Sequence, residues 1–174
     1  MNKHIFRTAL LLCALVLSLT ACSKKEDPRW SEADKKSKEA IEAKKEAQKS
    51  GALPTPEEGG SFNKFFPKTE SGFEMIASQE KTGFAEYKLK KGGKDLAMIA
   101  ISDVANNPQA ADKFKTATKK IGGFPAVDQG STATAVLVGG RFQVKVLSRD
   151  ASFSKANREE WLNKVNLAGL AAMK

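Results

Sequence analysis

Two glycine pairs, Gly92-Gly93 and Gly139-Gly140, each interrupt a pair of strand-like segments, and they constrain the fold more than any other feature of this chain. A tight two-residue hairpin turn needs positive φ at both central positions, which only glycine adopts freely. Residues 84–90 and 95–101 flank Lys91-Gly92-Gly93-Lys94, and residues 132–138 and 142–148 flank Gly139-Gly140-Arg141. Two antiparallel hairpins are therefore expected. With Gly139-Gly140 as a two-residue turn, Leu137 should face Phe142, Ala135 should face Val144 and Ala133 should face Val146. Gln143 and Lys145 then point outward. Residues 73–79 read as an earlier strand.

A helical pattern follows each hairpin. Asn107-Pro108 reads as a cap with proline in the first turn, and Ala111, Phe114, Ala117 and Ile121 recur at helical spacing until Gly122-Gly123. A second helix is expected from Ser154, presenting Trp161, Leu162, Val165 and Leu170 and running close to the C-terminus. The fold class is then α+β: an antiparallel sheet from two Gly-Gly hairpins plus an earlier strand, with two helices packed on one face. An offset of 47 residues aligns the two glycine turns, Asp103 with Asp150, and Phe114 with Trp161. The inward faces disagree by one register, Leu96 and Met98 against Phe142 and Val144. The repeat is topological at best unless a bulge intervenes. The two aspartates read as strand-end residues rather than catalytic carboxylates.

The N-terminus carries a different message. Residues 1–8 hold Lys3, His4 and Arg7 with no acid, and residues 9–19 are an almost unbroken apolar run. This is the charged start and apolar middle of a signal peptide, too short to span a bilayer. Leu19-Thr20-Ala21-Cys22 follows at once and resembles the lipobox of bacterial lipoproteins; the resemblance covers residues 1–23. It implies cleavage between Ala21 and Cys22 and lipidation of Cys22. Cys13, preceded by Leu10-Leu11-Leu12, lacks the small neighbour that Ala21 provides. Ser23 in place of an aspartate favours the outer membrane by analogy with Gram-negative lipoproteins. The lipid-anchored protein then belongs to the bacterial cell envelope, on its periplasmic or surface face.

Cleavage removes His4, the one histidine, and Cys13, while the remaining thiol is consumed by lipid. Ser-His-Asp triads, Cys-His pairs and histidine zinc sites are then excluded. No glycine-rich phosphate cradle, nucleophile elbow or calcium loop is present. No catalytic residue, metal ligand or cofactor is assigned from the sequence.

Residues 22–50 read as the lipidated N-terminus and a charged spacer helix, with Ser31 and Asp34 as a cap and Glu42–Lys45 and Glu46–Lys49 able to pair at three-residue spacing. Alanine and Ile41 supply too little apolar surface for a core-facing stripe. Residues 51–61 have linker composition, so the domain is placed at 62–174. Within it 18 bases stand against 11 acids. Lys88, Lys90, Lys91 and Lys94 surround the first hairpin tip, and Lys113, Lys115, Lys119 and Lys120 decorate the expected helix. These eight are the candidate anion-binding residues, against the reading that lysines keep a hairpin edge soluble. Phe62, Phe65 and Phe66, with Pro67, form an aromatic cluster expected to fold back over the open end of the sheet. Lys174 is similar, on one residue, to the terminal lysine of lipoproteins joined to peptidoglycan.

The expectation is a lipid-anchored cell-envelope protein, held to the membrane through Cys22, with a non-catalytic partner-binding or structural α+β domain. The alternative is a basic module that binds anionic lipid or lipopolysaccharide. A carboxylate or Ser-Lys enzyme is the remaining class. Nucleic acid is not an expected partner of a domain outside the cytoplasm.

Overall fold

A computed structural model describes residues 28–51, 53–70, 72–105 and 107–173. Ala21, Cys22, the rest of the signal region and Lys174 lie outside the described residues. Two units divide the chain, and the sheet with its packed helices lies in the second, Ala40–Lys174.

Helix α1 runs Pro28–Lys49. Ser31 is therefore inside the helix rather than at its cap. Its side chains from Trp30 through Glu46 are exposed. Ion pairs in α1 fall at four-residue spacing, Glu32–Lys36 at 2.9 Å, Asp34–Lys38 at 3.6 Å and Lys35–Glu39 at 4.0 Å, and not on the expected three-residue pairs. Four residues make just over one turn, so such side chains stack on one face.

Seven strands follow: β1 Phe73–Lys81, β2 Phe84–Lys91, β3 Lys94–Asp103, β4 Lys119–Ile121, β5 Phe124–Gln129, β6 Ala133–Val138 and β7 Phe142–Ser148. They form one antiparallel sheet in the order β1-β2-β3-β7-β6-β5-β4. The chain is thus an α+β protein made of two meanders sewn together by the β3–β7 pair. Two helices, α2 Lys155–Lys164 and α3 Leu167–Ala171, pack on what we call the inner face. Ser154 caps α2 in a reciprocal box with Asn157. The expected single C-terminal helix breaks at Val165 because Asn166 starts a new one, its side chain accepting from the Gly169 N–H at 2.9 Å.

The first expected helix is corrected. Pro108–Phe114 forms only a 3₁₀ helix, and the chain then extends into β4. Gly122 and Gly123, with φ of 58° and 88°, make a third Gly-Gly hairpin turn that sets Ile121 opposite Phe124. The helical recurrence through Ile121 had masked the turn chemistry of the glycines. This 3₁₀ helix also lies on the opposite, outer face, where Phe114 packs with Val104, Ala135 and Leu137.

The second hairpin is offset by one residue from expectation. Val138 pairs with Phe142 and Val136 with Val144, so Gly139, Gly140 and Arg141 all cross the turn. One step inverts the face. Thr134, Val136 and Val138 therefore point inward with Phe142, Val144 and Val146, while Ala135 and Leu137 join the outer cluster. In the first hairpin a bulge at Leu96 resolves the register conflict: Leu89 pairs with Ala97 and Lys90 with Asp95. Ala97, Ile99 and Ile101 then point inward, and the expected inward Met98 faces out.

The inner core is built on Trp161, Leu162 and Leu170 from the helices, the inward strand residues, and the aromatic cluster. Phe62, Phe65 and Phe66 are buried, with Phe62 meeting Phe142 edge-on at 5.8 Å and Phe66 lying 4.3 Å from Tyr87. The cluster folds back over the sheet as expected, carried by a 3₁₀ helix over Gly59–Phe65. Gly59 permits this approach, because a Cβ there would stand 2.5 Å from the carbonyl oxygens of Lys81 and Phe84.

Candidate functional site

The eight lysines do not converge. Lys88 and Lys90 stand on the outer face of β2 and share Asp95, at 3.9 and 3.4 Å. Lys91 lies over the Phe73 ring at 4.7 Å. Lys94 pairs with Asp150 at 2.6 Å; its ammonium, with the Ser152 side chain and N–H, holds that carboxyl well below the usual carboxylate range. Lys115 pairs with Asp112 at 2.6 Å. Lys119 points inward, where it bonds Glu159 and lies 4.0 Å from Asp128.

Lys113 and Lys120 have no carboxylate within ion-pair distance among the described residues. Lys120 is exposed on β4, and Lys113 leaves the 3₁₀ helix over the outer face with its ammonium 5.3 Å from the Phe114 ring. Lys145, between Ala100 and Ala135 in the sheet, stands beside it. Burial first and the charge of Lys145 second push the Lys113 ammonium below its ordinary value. The candidate set had omitted Lys145, although the alternation of β7 already turned it outward. Unsatisfied polar atoms on this same face are Gln143 Oε1 and Gln129 Nε2, both enclosed and without a hydrogen-bond partner among the described residues.

A second constellation lies at the end of the sheet where β3 and β7 meet. Asp103 has no exposed side-chain surface. Its carboxylate accepts from Arg141 Nε at 3.1 and 3.2 Å, from Arg141 Nη2 at 2.8 Å, and from the Glu57 and Ala105 N–H groups at 3.0 and 2.9 Å. Burial pushes this carboxyl up, but Arg141 and the two backbone donors outweigh it, and the net shift is downward. Arg141 Nη2 also donates to the Thr55 carbonyl at 3.1 Å and to Glu57 at 3.3 Å. Gly83 N–H donates to the Glu57 carbonyl at 2.6 Å. Residues 55–57 are thereby strapped to the domain.

Beside this strap lies a cavity of about 560 Å³. Leu53 and Pro54 form one wall, Val104, Ala105, Pro108 and Ala111 another, and Gly140 a third. Gln109, Asp112, Lys115 and Arg141 supply its polar groups. Neither the cavity nor the Asp103–Arg141 pair was read from the sequence. Both depend on β3 lying next to β7, a pairing that no local motif announces.

On the inner face a polar network joins α2 to the sheet. Arg158, buried, donates to Thr134 Oγ1 at 3.0 Å and Ser148 Oγ at 2.9 Å, and Thr134 donates to Asp128 at 2.8 Å. The Lys155 hydrogen bond is the largest influence on Asp128 and holds its carboxyl below the ordinary range. These groups satisfy one another, as buried polar groups must. Thr134, whose hydroxyl faces Asp128, is fully buried.

Among the described residues no cluster of three or more His, Cys, Asp and Glu is placed to hold a metal ion. None of the described helices is long and apolar enough to cross a membrane. No family model, curated protein or solved structure matches the chain.

Proposed function

We propose that this chain is a lipid-anchored protein of the bacterial cell envelope, tethered through Cys22, whose α+β domain is a non-catalytic binding module. The observation that carries the reading is Leu19-Thr20-Ala21-Cys22 placed directly after a charged start and an apolar run. The exposed, internally ion-paired surface of α1 supports a spacer role for the segment that follows. The non-catalytic part rests on a mature inventory without histidine or free thiol. Ser23 favours the outer membrane. In cells fed labelled palmitate, wild type should carry label and Cys22→Ala should carry none; label retained by the variant overturns the anchor.

A second reading is supported by the outer sheet face, where Lys113, Lys120 and Lys145 stand without carboxylate partners: recognition of anionic lipid or lipopolysaccharide. A chain beginning at Ser23 should bind phosphatidylglycerol vesicles, lose that binding as salt rises, and ignore phosphatidylcholine vesicles. Binding indifferent to salt and lipid charge contradicts it.

A further inference from the structure

We propose that the cavity between residues 53 and 54, the Pro108–Phe114 3₁₀ helix and the β6–β7 turn binds one straight acyl chain, its anionic head held at Lys115 and Arg141. The proposal deepens the envelope reading by naming a ligand that a membrane supplies. Its test uses the soluble chain, so it succeeds or fails apart from lipidation at Cys22.

Leu53, Pro54, Val104, Ala105, Pro108 and Ala111 present aliphatic carbon, and the two prolines also lack an N–H. A peptide strand laid here would leave backbone groups unpaired, and a sugar would lose most of its hydrogen bonds with water. Among the described residues no aromatic ring lines the cavity, so a flat ring ligand finds no stacking partner. A hydrocarbon chain needs none of these things. The volume lies within the range of small-molecule sites, and water gains little in a space with so few polar partners.

Polar groups are confined to a small part of the lining, which sets the chemistry of the head. Lys115 and Asp112 are paired at 2.6 Å but 75% and 54% exposed, so their bond is weak and a ligand carboxylate or phosphate can replace Asp112. Arg141 spends Nε and Nη2 on Asp103, Glu57 and the Thr55 carbonyl. None of the hydrogen bonds among the described residues uses its Nη1. A guanidinium held rigidly on one side, with donors left on the other, is a preorganised donor site for an anion. The same clamp fixes the strap that carries the cavity wall.

A chain beginning at Ser23 keeps every side chain of both core clusters, which run from Phe62 to Leu170. Titration calorimetry with saturated fatty acids of six to fourteen carbons, each below its micelle concentration, tests the proposal. Burial of one methylene contributes about 0.8 kcal/mol, so affinity should rise about fourfold per carbon and level off once the cavity is full. Ala111→Phe should abolish binding by filling the space. Lys115→Gln should weaken the acid about tenfold while leaving binding of the matching alcohol unchanged. Methyl NMR of Leu53 and Val104 in the wild-type protein locates the ligand without any variant. Affinity independent of chain length, or unmoved methyl signals at saturating acid, overturns the proposal. Two arms separate the sources: uptake from phosphatidylglycerol vesicles assigns a bilayer lipid, and binding of micellar-free acid alone assigns a free fatty acid. Uptake in neither arm also overturns it.

Discussion

Arg141, at the β6–β7 turn, grips both carboxylate oxygens of Asp103 at the end of β3, and the pair fastens residues 55–57, which by composition belong to the 51–61 linker, to the domain. A buried carboxylate held by one guanidinium and two backbone N–H groups is satisfied only as a unit. Removing one member leaves the others desolvated without a partner.

Asp103→Asn should therefore destabilise the domain by about 2–3 kcal/mol at pH 7, just under the range for fully buried pairs because Arg141 keeps some solvent contact. The effect has a pH signature. Folding lowers the carboxyl below its ordinary value, so its contribution is complete above the unfolded value, about 3.9, and is lost as pH falls through the folded value. Denaturant unfolding of wild type and variant should differ fully at pH 6, begin to approach one another only below about pH 4, and converge below the folded value. A difference that grows with acidity contradicts the assignment.

Gly59→Ala should be costly although alanine is the smallest change available. Its Cβ would meet the Lys81 and Phe84 carbonyl oxygens at 2.5 Å, and both belong to strand backbone that cannot step aside. Overpacking of this kind costs about 1–3 kcal/mol. Thermal unfolding should fall by several degrees, and limited proteolysis should cut first between residues 50 and 62. Gly60→Ala, which meets only the end of the Glu80 side chain, is the matched control and should do little.

Trp161→Ala should remove about 3–5 kcal/mol, since the ring is 2% exposed and packs edge-on against Phe73 at 5.1 Å. Chemical denaturation gives the value directly. A loss under 1 kcal/mol would mean that α2 is not docked on the inner face.

Lys145→Gln should raise the pKa of Lys113 toward its ordinary value without restoring it, because burial is the larger influence and survives the change. NMR titration of the lysine side chains reads this. An unchanged Lys113 would separate the two ammonium groups and remove the support they lend to an anion-binding outer face.

Much of the architecture was legible in the chain because turns and periodicity are local. Gly92-Gly93 and Gly139-Gly140 marked two hairpins, Phe73 began a strand, and Ser154 marked a helix start. What failed were cases where two local signals competed. Gly122-Gly123 stops a helix or turns a hairpin with equal ease, and Ile121 at helical spacing from Phe114 favoured the wrong one. The bulge at Leu96 carries no glycine and no other mark; only the pairing of Leu89 with Ala97 reveals it. The cavity was illegible for a different reason: Leu53, Val104, Pro108 and Arg141 are brought together by strand order, which is a property of the whole sheet. Charge counting also misled, because Lys88, Lys90, Lys94, Lys115 and Lys119 each find a carboxylate in the fold.

Retention of the protein in the envelope by lipid on Cys22 is read out by the intact mass of the protein extracted from membranes with detergent. The expected species begins at Cys22 and carries the mass of a diacylglyceryl group, with or without a third acyl chain. A chain of unmodified mass, or one that starts elsewhere, contradicts it.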